Sequence, residues 1–85
     1  MKKITVKLNA TGRYVLRNRL EDADARGREL GKRIQKHGIM EPITFTVSEL
    51  QYLNDIAQNM NHNQTNGWLN TKLRLRRSLR EEGTQ

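Results

Sequence analysis

Cysteine is missing from the 85 residues, which excludes disulfide staples, thiolate zinc sites and cysteine nucleophiles together. No apolar run approaches the ~20 residues that a bilayer-crossing helix needs. Met1-Lys2-Lys3 leads straight into alternating residues, not into the apolar block of a signal peptide. Aromatics are limited to Tyr14, Phe45, Tyr52 and Trp68, too few for a platform on which single-stranded bases stack. Hydrophobic residues make up 34% of the chain, below the ~45–50% of an average domain on a count that includes glycine. A small core is therefore expected, and a homodimer would enlarge it. These absences lead us to expect a cytoplasmic single domain over residues 1–85, with no membrane association, no cofactor, and 81–85 as a frayed tail.

What the chain has in excess is positive charge. Sixteen Lys and Arg face nine Asp and Glu, a formal net charge of +7, and the pI is about 10.4. A cation field of this kind attracts phosphate backbones and acidic proteins. It is unevenly spread. Residues 1–42 carry eleven Lys/Arg against five acids, a net +6. Residues 43–67 carry two acids and no Lys or Arg, and residues 68–85 carry five Lys/Arg against two acids, a net +3. The middle thus reads as scaffold or partner surface, and the two ends carry the charge.

Hydrophobic spacing predicts the elements. Ile4, Val6 and Leu8 alternate with Lys3, Thr5 and Lys7, the period of a strand with one buried face. Asn9-Ala10-Thr11-Gly12 is a turn signal, and Arg13–Leu20 then reads either as a second strand or as the start of a helix capped by Thr11. Leu16, Leu20, Ala23, Gly27, Leu30 and Ile34 form a helical stripe. Acids at 21, 22 and 24 and bases at 32, 33 and 36 complement a helix dipole, so a helix is expected over 22–37. Gly38 is expected to stop it in the left-handed conformation. Gly27 and Gly31 read as tolerated surface glycines, with close approach of another backbone as the alternative.

Pro42, the one proline, precedes a second alternating run, Ile43–Val47. Thr46 and Glu49 have capping-box spacing and predict a helix from about 47 to 60, with Val47, Leu50, Leu53, Ile56, Ala57 and Met60 inward. Asn61–Gly67 reads as a polar loop. From Trp68 onward, straight-chain Leu, Arg, Lys and Glu favour a last helix. The expected fold is α+β: a small single domain with two or three short β-strands and about three α-helices.

Little in the chain suggests catalysis or a metal. His37 sits at a helix end and His62 in a polar loop, where a histidine caps or is solvated. Glu21, Asp22 and Asp24 are neighbours that splay in different directions, whereas a divalent-metal site needs convergent carboxylates. The expectation is a non-enzyme without a metal site.

Residues 43–80 follow the order strand, helix, turn, helix. In that order they resemble the ribbon-helix-helix DNA-binding dimers, whose paired strands enter the major groove. The resemblance implies that Thr44 and Thr46 face bases and that N–H groups near Thr65 and Gly67 face phosphate. It covers under half of the chain, and its strand lacks the Lys or Arg that the N-terminal strand has.

The leading expectation is a non-catalytic, regulatory nucleic-acid-binding protein that contacts the duplex DNA backbone through Lys3, Lys7, Arg13, Arg17, Lys72, Arg74, Arg76, Arg77 and Arg80. Lys72, Arg76 and Arg80 recur every four residues and form one stripe, with Arg74 and Arg77 as a second. Each phosphate so neutralised releases counterions. The alternative is a protein-binding modulator, an inhibitor or adaptor, that docks its basic face on an acidic partner protein. Phe45, Tyr52 and Trp68 would then be its anchors, since aromatics dominate interface hot spots.

Overall fold

Two strands and four helices make up the structure, a computed structural model that describes residues 2–60 and 65–82. The first alternating run forms β1 (Lys3–Lys7), with Ile4 and Val6 buried and Lys3, Thr5 and Lys7 exposed. Its partner is β2 (Pro42–Thr46), which pairs with it antiparallel in the register Lys3–Thr46, Thr5–Thr44, Lys7–Pro42. Ile43 and Phe45 point inward beside Ile4 and Val6. The helices cover that inner face, and the opposite face is open to solvent.

The ambiguous stretch after β1 is a helix, α1 (Ala10–Glu21). Asn9 decides it. Its carboxamide oxygen accepts from the Gly12 N–H at 2.7 Å and caps the helix, a role expected of Thr11 from the sequence. Tyr14, which a strand would have turned inward with Leu16 and Leu20, is 66% exposed. The turn signal was therefore a helix start.

The stripe from Leu16 to Ile34 belongs to two helices, because α2 (Ala25–Gln35) begins only after a break at residues 22–24. Asp24 caps it by accepting from the Gly27 N–H at 2.9 Å. Of the three acids expected at one helix start, only Asp24 has that role; Glu21 closes α1 instead. The glycines are packing positions. A Cβ on Gly27 would lie 2.6 Å from the Tyr52 hydroxyl, and one on Gly31 would lie 3.2 Å from the Leu20 Cβ. Gly31 lets α2 close on Leu20 of α1, and Gly27 leaves room for Tyr52 as well, which corrects their reading as surface glycines. Gly38 is not left-handed either. Among the described residues the positive φ belongs to Met40, at 60°.

The capping box forms as expected. The Glu49 N–H donates to the Thr46 hydroxyl at 3.1 Å and the Thr46 N–H to the Glu49 carboxylate at 2.8 Å. It opens α3 (Val47–Asn59), which buries Leu50, Leu53 and Ala57. α4 (Asn66–Glu82) is the fourth helix, one more than expected, and it starts inside the predicted loop and includes Glu81 and Glu82. It buries Trp68, Thr71 and Leu75 and packs on α1, α3 and β1. At the α1 crossing, a Cβ on Gly12 would overlap the Thr71 side chain. The Thr71 hydroxyl lies 3.1 Å from the Asn9 carboxamide oxygen and 3.0 Å from the Gly67 carbonyl. Among the described residues, fifteen buried apolar side chains from all six elements and from Leu8 form one core. Among the described residues no helix is long and apolar enough to cross a membrane.

Candidate nucleic-acid interface

Alternation in two paired strands produces the first cationic surface. The outer face of the ribbon carries Lys3, Thr5 and Lys7 from β1 and Thr44 from β2, all exposed. The Thr5 and Thr44 hydroxyls face each other at 3.2 Å, a cross-strand pair of the kind that stabilises antiparallel ribbons. Neither strand contains a carboxylate, so Lys3 and Lys7 have no acid within their own sheet. Thr46 is turned into the cap of α3. That corrects the base-facing position implied by the ribbon-helix-helix order, as does the pairing of β2 with a strand of its own chain.

Arg33 on α2 is the cation tied most firmly into the fold. Its guanidinium forms a two-pronged pair with the Glu49 carboxylate, at 2.8 and 3.0 Å. It also reaches the Thr44 carbonyl at 3.4 Å and lies 5.7 Å from the centre of the Phe45 ring. The arginine bonds and the Thr46 N–H hold Glu49 down at about 2, and the same bond to Glu49 raises Arg33. A carboxylate held this low keeps Arg33 neutralised, so Arg33 acts as a clamp between α2, β2 and α3.

A second surface lies on α1 and α2. Arg17 shares a groove of about 200 Å³ with Arg28, Lys32 and Glu21, and Gly31 also lines it. Arg28 and Lys32 on the exposed side of α2 and Lys36 at its C-cap recur every four residues. Lys32 and Lys36 are thus more than the dipole partners expected from the sequence, and Arg28 joins them. The four-residue spacing was the available signal. Arg13 is half-buried, and its Nε is covered without a hydrogen-bond partner.

α4 supplies the third surface, and its cations divide between two flanks. Arg74 and Arg77 line a groove with Asn9, Leu73 and Glu81. Arg76 and Arg80 line another with Gln51 and Asp55 of α3. Lys72 is half-buried on the α3 side, where its carbonyl accepts from the Gln58 side chain at 3.1 Å. The structure therefore distributes the nine candidate cations over the ribbon, the α1–α2 side and the two flanks of α4.

The aromatic candidates lie mostly inside. Phe45 and Trp68 are core residues, 1% and 0% exposed, which removes both from the surface a partner could touch. Their hydrophobic bulk is what closes a core this small. Tyr52 is half-buried; its hydroxyl donates to the Asp24 carboxylate at 3.0 Å and its ring lies 5.2 Å from the Arg26 guanidinium. Burial, then the bond to Asp24, raises the phenol. The bond from the Gly27 N–H, followed by that from Tyr52, lowers Asp24. With its Nδ1–H donating, His37 bonds the Arg33 carbonyl at 2.8 Å, an end-of-helix role. His62 lies outside the described residues. Among the described residues no three of His, Asp and Glu are grouped to hold a metal ion. The chain matches no known family model, and no curated protein or solved structure gives a significant match to it.

Proposed function

We propose that this protein binds nucleic acid without catalysis, favouring the backbone of duplex DNA, in a regulatory role in the cytoplasm. One observation carries the reading: the open face of the β1–β2 ribbon presents Lys3 and Lys7 beside threonine hydroxyls, with no carboxylate in either strand. Ammonium groups and hydroxyls are donors to phosphate oxygens, and such contacts set position and affinity rather than sequence preference. Further cations lie on other elements, Arg28 and Lys32 beside Arg17 and Glu21, and Arg74 and Arg77 beside Glu81 on α4. Titrating a labelled duplex across a range of salt concentrations tests this. The observed binding constant should fall steeply with salt, and the Lys3→Gln/Lys7→Gln variant should show a shallower fall. Absence of duplex binding at low salt would remove the reading.

A second reading is favoured by two exposed leucines on α4, Leu69 and Leu73, at 38% and 52% exposure. Set among Arg76, Arg77 and Arg80 on the same helix, they suit an acidic partner protein with an apolar stripe. With Phe45 and Trp68 buried, the anchors of that modulator become Leu69, Leu73 and Tyr52. A stoichiometric protein that stays bound through nuclease treatment and moderate salt, and is lost with Leu69→Ser/Leu73→Ser, would favour it over nucleic acid.

A further inference from the structure

The chain from α2 to β2 turns tightly at residues 38–41, where the Glu41 N–H donates to the Gly38 carbonyl at 3.2 Å. Two further bonds hold this turn. The Gly38 N–H donates to the Glu41 carboxylate at 2.8 Å, and the Met40 N–H donates to the Leu8 carbonyl just past the end of β1, also at 2.8 Å. Met40 occupies the third position of the turn with φ at 60°. A turn with positive φ there calls for glycine or asparagine, and a long side chain in that conformation is strained. The result is a rigid tip that lifts two adjacent apolar side chains into solvent, Ile39 at 60% and Met40 at 42% exposure. Neither stability nor solubility is served by methionine at this place.

The surroundings of the tip identify an occupant. Pro42, the register partner of Lys7, follows two residues after Met40, and exposed Lys36 precedes Ile39 by three. The neighbouring carboxylate, Glu41, accepts the Gly38 N–H and serves the turn. The tip is thus an apolar point at the end of a lysine-bearing ribbon. A point of this composition suits a partner with a polyanionic exterior and a stacked apolar interior, which describes a nucleic-acid duplex. Exposed Ile, Met and Pro side chains next to cations can enter a base step from the minor groove and unstack it.

We propose that the Ile39–Met40 turn is a wedge that inserts between adjacent base pairs of a duplex held by Lys3 and Lys7. The inference rests on the nucleic-acid reading above and adds a mode of action to it, deformation of the duplex. Its test uses the full chain and a short duplex carrying 2-aminopurine at central steps, with a dye pair on its ends. Bound wild type should raise the 2-aminopurine fluorescence and bring the duplex ends closer. The Ile39→Ser/Met40→Gly variant places glycine where φ is positive, so it should keep the wild-type circular dichroism. It should bind with the same salt slope, lose less than about tenfold in affinity because the phosphate contacts remain, and show neither signal. Ile39→Ala alone should reduce both signals in part. A wild type that binds while leaving the bases stacked and the duplex straight overturns the wedge alone, as does a variant that retains both signals. Failure of the wild type to bind duplex overturns the wedge and the nucleic-acid reading together.

Discussion

The two faces of the β1–β2 ribbon are made by the same ten residues and have opposite energetic roles. The inner face, Ile4, Val6, Ile43 and Phe45, is buried in the core, with α3 and α4 packed on the strands. On the outer face the side chains of Lys3, Thr5, Lys7 and Thr44 are exposed, and the Thr5 and Thr44 hydroxyls contact each other. A core of fifteen apolar side chains among the described residues leaves little stability in reserve, since small domains bury a limited share of their surface. The inner face is therefore constrained by stability, whereas the outer face is free to be shaped by binding. The same contrast separates two arginines. Arg33 is paired with Glu49 and joins three elements, while Arg17 lines an open groove with Arg28, Lys32 and Glu21.

Substitutions on the two faces should therefore separate stability from binding. The largest effect is expected from Phe45→Ala, which empties the centre of the inner face. It should lose about 3–5 kcal/mol of unfolding free energy in urea, enough to unfold a domain of this size in part. A loss below that range would mean that the inner face is not the main support of the fold.

Gly12→Ala comes next. Its Cβ would overlap Thr71, and overpacking at a helix crossing should cost about 1–3 kcal/mol. A double-mutant cycle with Thr71→Ala should recover part of that loss, because the residues are in contact. Purely additive losses would place the crossing elsewhere.

Glu49→Gln should cost about 1–2 kcal/mol through the weakened cap and the lost charge-assisted pair. It should also change the acid limb of the stability profile. The Glu49 carboxyl is held at about 2 against an ordinary 4.5. A lowered native value means that the unfolded chain binds the proton more readily. The contribution is full above pH 4.5 and is lost as the pH falls from there toward 2. Wild type should lose stability across that window more steeply than the variant, as urea midpoints measured at successive pH values would show.

The smallest change in stability, within about 0.5 kcal/mol, is expected for Lys3→Gln/Lys7→Gln on the exposed face. Its effect should appear in binding, where the slope of log binding constant against log salt should fall by about two if both lysines neutralise phosphates. Unchanged binding together with unchanged stability would make the outer face inert and end the comparison.

Local chemistry was legible without coordinates. Alternation in residues 2–9 and Ile43–Val47 identified both strands and the face each would bury, although the strands end at Lys7 and Thr46 and Val47 opens α3. Thr46 and Glu49, three residues apart, identified the start of α3. Asn9 was passed over as a turn residue, although as Ncap it decides that residues 10–21 are helical. The continuous stripe through Ala23 concealed the break before Asp24, because a helical period survives when two helices present the same side to one core. Of the candidate site, Lys3 and Lys7 were placed correctly on an exposed face, and the stripe on α2 was overlooked.

Capping and side-chain period act over three or four residues, so the order of residues alone determined the strands, the capping box and the separation of charge along the chain. Contacts between residues sixteen or more positions apart depend on where the chain closes. The tertiary structure alone therefore decided that Gly12 meets Thr71, that Gly27 meets Tyr52, and that Arg33 is taken up by Glu49. The same distance dependence explains the cations: their number is a property of the composition, but their division among the ribbon, α2 and the two flanks of α4 follows from how the helices pack.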